Sequence, residues 1–411
     1  MKTVQKVPVR IPPAICLNLH RMVVLAIGFG IAIQAEPFLP RDKNQVLERT
    51  SFSAIDPDAQ LIRSLQRELK ANPTNESVAA ALATKLITRS RRESDPRFLG
   101  YAEAALKPWW LSTEVSPAIL NLRAAIHQSQ HRFDLALIDL DRALVLDPLN
   151  AQAWLNRCTI LQVQGNYLSA AQATLQLFRC APELLATACA ASIGSLQGQA
   201  EKSHELLRRA LDRSADAPDD QKQWAWSILA DIAVRLGWKE QAEHYFAKAR
   251  KEFAPDPLLI ATEADFWLDQ GRPEKVISLF KDQVPSDGLL LRQALAQKAL
   301  HSGSAVLKGQ IRQLHDRFEA SRLRGDAVHQ REEARFALEL QNDPARAFVL
   351  ASANWEVQRE PADARILVEA ALAARKWSGA IPVMAWFRTN RVEDVRLNKR
   401  IEQIEEHLER P

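Results

Sequence analysis

Apolar positions along this chain follow two regimes. Near the N-terminus an unbroken apolar stretch runs from Met22 to Ile33 (MVVLAIGFGIAI). From about residue 75 onward, apolar residues instead recur at three- and four-residue spacing among polar ones, as in helices that bury a single face. After the leader no stretch reaches 18 uninterrupted apolar residues, so no later segment is expected to span a membrane. Residues 36–55, with Pro37 and Pro40, follow neither pattern and read as a linker.

The helical spacing itself repeats. Phe133–Asn150 (FDLALIDLDRALVLDPLN) is followed by Ala151–Pro182 (AQAWLNRCTILQVQGNYLSAAQATLQLFRCAP), and three pairs of residues across them stand 34 apart: Phe133 and Tyr167, Ala136 and Ala170, Pro148 and Pro182. Gly198, Ala210 and Leu211 continue the phase. Trp226, Ala230, Gly237, Ala242, Phe246 and Ala249 form a fuller unit; Ala264, Trp267, Gly271 and Phe280 form another, opened by Asp256-Pro257. Small residues let antiparallel helices approach, glycine closes the turn between them, and proline stops or starts a helix. Upstream, Leu82 to Trp110 reads as a degenerate helix pair, with Tyr101, Ala102 and Ala105 on its second helix. Downstream, 289–303 begins another pair, and the pattern resumes over Phe336–Glu360 and Ala362–Trp377. Between them the charge-dense run within 308–335 (RQLHDRFEASRLRGDAVHQREEAR) predicts solvated helix faces. In Val392–Leu408 the residues Val395, Ile401, Ile404 and Leu408 fall at helical spacing among charges, as a terminal cap would.

With Trp154, Cys158, Gly165, Tyr167, Ala170 and Pro182 in the places its pattern prescribes, the second unit resembles a tetratricopeptide repeat. The resemblance is fullest over 117–182, partial over 222–282 and fragmentary elsewhere between 75 and 385. It implies an all-α fold, an α-solenoid of antiparallel helix pairs in which each pair buries its apolar face against its neighbours. The chain then divides into a signal peptide (1–35), a linker (36–55), degenerate helix pairs (56–116), tetratricopeptide-like repeats (117–305), degenerate repeats (306–390) and a C-terminal capping helix (391–411). Only 13 glycines occur in 411 residues, about half the usual frequency, which argues against a β-rich alternative.

Charge and cysteine refine the picture. Residues 1–35 hold Lys2, Lys6, Arg10 and Arg21 and no acid; removing those four from the 54 basic residues leaves 50 against 50 acidic ones. The body is formally neutral, without the basic stripe that a nucleic-acid partner requires. A basic segment, the apolar stretch and Ala35 together read as a secretory signal cleaved after Ala35, with an uncleaved N-terminal anchor as the alternative. The implied address is secreted or periplasmic. Cys158, Cys180 and Cys189 remain, an odd number; one disulfide with a leftover thiol and three reduced cysteines both fit.

Catalytic and metal signatures are missing from the sequence: no Gly-x-Ser-x-Gly, no Walker loop, no His-Glu-x-x-His, no Cys-x-x-Cys. Nine scattered histidines read as surface positions, and the adjacent Glu332 and Glu333 as solvated salt-bridge partners, since neighbours on a helix point about 100° apart. The expectation is a non-enzyme without cofactor or metal. Trp154, Trp226 and Trp267 fall on phased, buried positions. The resemblance places Trp224, two positions before Trp226, on the concave groove, where aromatics anchor partners. Tetratricopeptide domains that grip chaperone C-termini use five Lys, Asn and Arg residues; here those positions are Asn121, Ala125, Asn156, Leu185 and Cys189, so that clamp is absent. The groove would instead present Asn121, Gln128, Gln152, Asn156, Thr159 and Gln162, neutral side chains suited to a peptide backbone or a glycan. The resulting reading is an exported scaffold that binds a protein or peptide through its concave face, for which the resemblance implies an envelope or secretion assembly as the setting. A soluble carrier for a glycan or small ligand is the alternative.

Overall fold

The computed structural model describes residues 56–93, 95–252, 256–280, 286–323 and 330–409. The proposed signal peptide and linker lie outside the described residues. Those described contain 21 α-helices, one short 3-10 turn and no strand. A leading helix, α1 (Pro57–Ala71), precedes the pair α2 (Glu76–Glu93) and α3 (Arg97–Ala105). A short α4 (Lys107–Trp110) leads into α5 (Pro117–Ser129) and α6 (Phe133–Leu146). The fullest repeat is α7 (Ala151–Val163) with α8 (Tyr167–Cys180), followed by α9 (Glu183–Gly194) with α10 (Ala200–Arg213) and α11 (Asp219–Leu236) with α12 (Lys239–Glu252). Then come α13 (Pro257–Asp269) with α14 (Pro273–Leu279), α15 (Asp287–Leu300) with α16 (Ala305–Leu323), and α17 (Gln330–Glu339) with α18 (Pro344–Val357). The chain ends with α19 (Pro361–Ala373), the turn at Trp377–Ala380, α20 (Ile381–Asn390) and α21 (Val395–Glu409).

Local chemistry sets the helix starts. Asp56, Ser116, Asp256 and Asp343 each accept a hydrogen bond from a backbone N–H in the first turn, and each precedes a proline at the first helical position. That combination satisfies orphaned donors and presets the backbone. Glu360 and Asp363 form a reciprocal capping box at the head of α19.

Turns within pairs share one backbone state. His131, Gly165, Gly198, Gly237, Gly271, Asn342, Arg375 and Arg391 all take left-handed φ, between 54° and 77°. Only four are glycines, so the weakly patterned pairs keep the turn geometry without its sequence mark. Each non-glycine there costs about 1 kcal/mol.

Successive pairs stack through their first helices, with α5 against α7, α7 against α9 and α9 against α11, giving an inner and an outer layer. The packing is not confined to neighbours, however. One buried core joins Cys158, Leu161, Tyr167, Ala186 and Ile193 to Trp355, Leu367, Trp386, Leu397 and Ile401. The array curls until its C-terminal third returns onto α7–α11. Arg359 N–H donates to the Val163 carbonyl (2.8 Å) and Ala200 N–H to the Glu393 carboxylate (2.7 Å). The Trp386 indole N–H donates to the Tyr167 hydroxyl (3.1 Å), which in turn reaches the Arg359 carbonyl (3.4 Å). At the other side α2 touches α13. The nearest-neighbour picture of the sequence is thus incomplete. The helix ends Arg359 and Arg391–Asp394 make contacts across roughly half the chain.

These contacts press on the turn glycines. A Cβ at Gly198 would lie 2.9 Å from Arg391 Cβ, whereas one at Gly271 would meet nothing within 4 Å. Both residues are left-handed, so Gly271→Ala measures the backbone strain alone, about 1–2 kcal/mol. Gly198→Ala is expected to cost at least about 1 kcal/mol more, because Arg391 Cβ is fixed to its own backbone. Urea denaturation of the two variants checks this; equal losses would show that Arg391 does not pack there.

Cys158 and Cys189 sit side by side in the shared core, fully buried, and Cys180 stands apart at the end of α8; all three are thiols. The Cys158 thiol is lowered by its hydrogen bond with Cys189, and Cys189 is raised by the same bond and by burial.

Candidate functional site

Curling brings the first helices of seven pairs, α7, α9, α11, α13, α15, α17 and α19, around one recess of about 890 Å³, with Arg91 of α2 and Arg396 of α21 completing its wall. Trp224, Thr159 and Gln162 line it. Gln128, Gln152, Asn156 and Asn121 do not. The amides are largely committed to one another and to neighbouring helices. Asn121 Nδ2 donates to Asn150 (3.0 Å), Gln152 Nε2 to Asn156 (2.8 Å), Gln162 Nε2 to Ser192 (2.9 Å), and Gln128 Nε2 lies 3.5 Å from Thr159 Oγ1. Asn156 is buried, and Asn121 Oδ1 and Gln128 Oε1 are enclosed without a partner. These side chains chiefly tie adjacent pairs together.

Charge dominates the far wall. Asp265 on α13 accepts from Arg292 on α15 (2.6 Å) and from Arg335 on α17 (2.5 Å). One turn on, Asp269 accepts two hydrogen bonds from Arg365 on α19 (both 2.6 Å) and one from Arg396 (3.3 Å). Burial works to raise the Asp265 carboxyl, but the two guanidiniums overcome it and hold the group well below the usual carboxylate range. The two acids, four residues apart on one helix, stitch α13 to four elements later in sequence, α15, α17, α19 and α21. The charge-dense run around 330–335 is therefore not a solvated face. Arg335 points into this network, and Glu333, only 4 % exposed, pairs with Arg346 and Arg322. Glu332 pairs with Arg331 (3.3 Å). Two histidines also leave the surface: His204 is buried and bonded to the Tyr245 hydroxyl (2.8 Å), and burial lowers His127 to about 4.

Two groups on the wall are less well matched. Arg91 makes no ion pair among the described residues, and its surroundings push its pKa down through desolvation. Glu360 has Arg331 as its cation, at 3.4 Å, and that guanidinium is shared with Glu332 and Asp363. Burial raises Glu360 to about 7, with Asp363 and Asp231 adding to the rise and Arg331 opposing it. A raised carboxyl favours the folded state when protonated. Its stabilisation is complete below the unfolded value near 4.5 and is lost as pH rises through about 7. Glu360→Gln, neutral throughout, is expected to gain stability relative to the parent between pH 5 and pH 8. Paired denaturation curves at the two pH values test it; an unchanged difference would mean that Arg331 fully compensates the charge.

Arg235 supports the recess from behind. It is 1 % exposed, and its guanidinium donates to the Ser195 carbonyl (3.0 Å), the Ser195 hydroxyl (2.7 Å), the Glu393 carbonyl (3.4 Å) and Asp231 (3.0 Å). Among the described residues no group of three or more His, Cys, Asp or Glu is placed to hold a metal ion, and no helix is long and apolar enough to cross a membrane.

The helix pairs, the left-handed turns and the stacked inner layer define the class: an all-α solenoid of tetratricopeptide-like repeats, here curled so that its C-terminal helices return onto α7–α11. No protein-family model matches the chain, and no curated protein matches it. Among solved structures, a tetratricopeptide repeat protein from Parabacteroides merdae ATCC 43184 is 16% identical; the match covers 70% of this chain and 98% of that one, with a TM-score of 0.37. The P58(IPK) TPR domain is 13% identical, over 84% of this chain and 98% of that one, with a TM-score of 0.22. The class rests on the chain's own helix pairing.

Proposed function

We propose that this chain is a non-enzymatic interaction protein that holds a segment of a partner protein in its inner recess. The observation that carries the reading is convergence: seven inner helices meet around one recess, with Trp224 on its wall. Repeat arrays use such inner surfaces for binding, and a recessed aromatic makes an effective anchor. The leader's basic segment, apolar stretch and Ala35 support export to a periplasmic or extracellular address, and the partner would then belong to that compartment. N-terminal sequencing of the chain recovered from its own cells tests the export element, with Glu36 as the expected first residue.

A photo-crosslinking amino acid at position 224, in the full chain in its native cell, tests the site. A covalent adduct with another protein is expected. The second reading, a carrier for a glycan or small ligand, draws on the size of the recess, which falls in the range of small-molecule sites. Adducts of small mass at 224, without protein adducts, would put that reading first. No adduct of either kind would remove the recess as the binding site.

A further inference from the structure

Among the described residues, the outer layer carries a pair of helix seams that no other element covers. On α6 the residues Leu135, Ile138, Arg142 and Val145, continued by Leu149 in the turn beyond the helix, follow alternating three- and four-residue spacing, and on α8 so do Leu168, Ala171, Leu175 and Phe178. This is the a/d spacing by which one helix packs lengthwise on another. Yet the large apolar members of both seams are between 46 and 81 % exposed. Apart from Leu146, which is also exposed, the other apolar side chains of these helices pack in the array's own core, so the outward stripes are additional to what the fold needs.

We propose that this face is the dimer interface of the protein, covered by the same face of a second copy. Three observations select that occupant. First, the uncovered apolar surface of these side chains with adjacent Leu146 is on the order of 800 Å², the share that each partner buries in a standard-size stable interface. Second, within the two stripes no charged side chain is left to select a charged partner. Their one cation, Arg142, is drawn aside to the Thr113 carbonyl and Asp139. Asp134 and Asp141 flank the α6 stripe, where a helix lying on a bilayer would carry Lys or Arg. Third, the occupant must offer exposed helices with matching a/d spacing. The face itself does so: a two-fold axis running between α6 and α8 lays the α6 seam of each copy on the α8 seam of the other.

The test is sedimentation velocity on the full chain at micromolar concentration, beside the double variant Ile138→Glu/Leu175→Glu. Both substitutions are on the surface, so circular dichroism should show unchanged helicity. The parent is expected to sediment as a dimer, and the variant to dissociate at least about 100-fold more readily, as burying two carboxylates at an interface centre demands. A parent that is monomeric throughout would overturn the proposal. So would a dimer that the variant leaves intact, since the contact would then lie elsewhere. Flotation of a monomeric parent with phosphatidylcholine–phosphatidylglycerol vesicles, lost in the variant, would assign the face to a lipid surface instead.

Discussion

Arg235→Ala is expected to lower the unfolding free energy by about 3–5 kcal/mol, the usual cost of removing one partner from a buried charged network. Four acceptors converge on this guanidinium: two from Ser195, at the end of α9, one from Glu393, before α21, and Asp231 one turn away on its own helix. Alanine leaves the Ser195 and Glu393 carbonyls enclosed without a donor, and it leaves a cavity where the largest fully buried side chain had been. Lysine should not rescue the loss, because a single ammonium cannot reproduce a planar fork spanning three residues. Denaturant midpoints for parent, Arg235→Ala and Arg235→Lys check both statements. A loss under 1 kcal/mol for alanine would mean that solvent reaches these carbonyls and that the C-terminal return is loose.

Trp386→Ala is expected to have an effect of similar size but different distribution. The indole packs edge-on against Trp355, with centroids 5.4 Å apart, and bonds the Tyr167 hydroxyl. Truncating a buried tryptophan costs about 3–5 kcal/mol. In an array stabilised chiefly by neighbouring contacts, that loss stays near its origin. Hydrogen exchange should therefore show residues 344–409 losing protection while α5–α8 keep theirs. Tyr167→Phe, which removes only the hydroxyl, should reproduce the pattern at about 1–2 kcal/mol. A uniform loss across the chain would show instead that the array unfolds as one cooperative block.

The difference between these two residues and the phased ones explains how much the sequence disclosed. Tyr167, Ala170, Gly165 and Trp267 were legible because each does a job inside one helix pair, and jobs inside a pair recur every 34 residues. Arg359, Trp386, Arg391 and Glu393 meet α7–α11 once, so no period marks them. Arg235 lies on a phased helix, but its partners Ser195 and Glu393 lie in loops without pattern. Left-handed turns at Asn342, Arg375 and Arg391 show why the C-terminal pairs looked fragmentary: the geometry persists while the glycine does not.

The recess was half legible for the same reason. Trp224, Thr159 and Gln162 could be placed on the inner face by register, because inner-face positions follow the repeat. The opposite wall could not, since it exists only when α13, α17 and α19 are brought together by the curl. One signal was present nonetheless. Asp265 and Asp269 stand four apart in a largely apolar helix, and Arg331 and Arg335 stand four apart in another. Such spacing puts each pair on one helix face, and two faces of opposite sign are candidates to meet. The charged side chains over 308–323 are mostly exposed, as expected, but the end of that run, 330–335, was read as solvated with the rest because its overall density of charge outweighed the spacing within it.

Closure of the array is the claim on which the recess, the glycine contacts and the C-terminal core all depend, and one cross-link tests it. The Arg359 N–H to Val163 carbonyl bond, at 2.8 Å, brings two residues 196 positions apart into backbone contact. Paired backbones at that spacing put their Cα atoms about 5–6 Å apart, within reach of a disulfide. Cysteines placed at 163 and 359, in a chain whose Cys158, Cys180 and Cys189 have been replaced and whose helicity is intact, should join within one chain under mild oxidation. The joined tryptic peptides would identify the link. If both thiols stay titratable while the protein remains folded, the array is open, and the recess between its inner helices does not form.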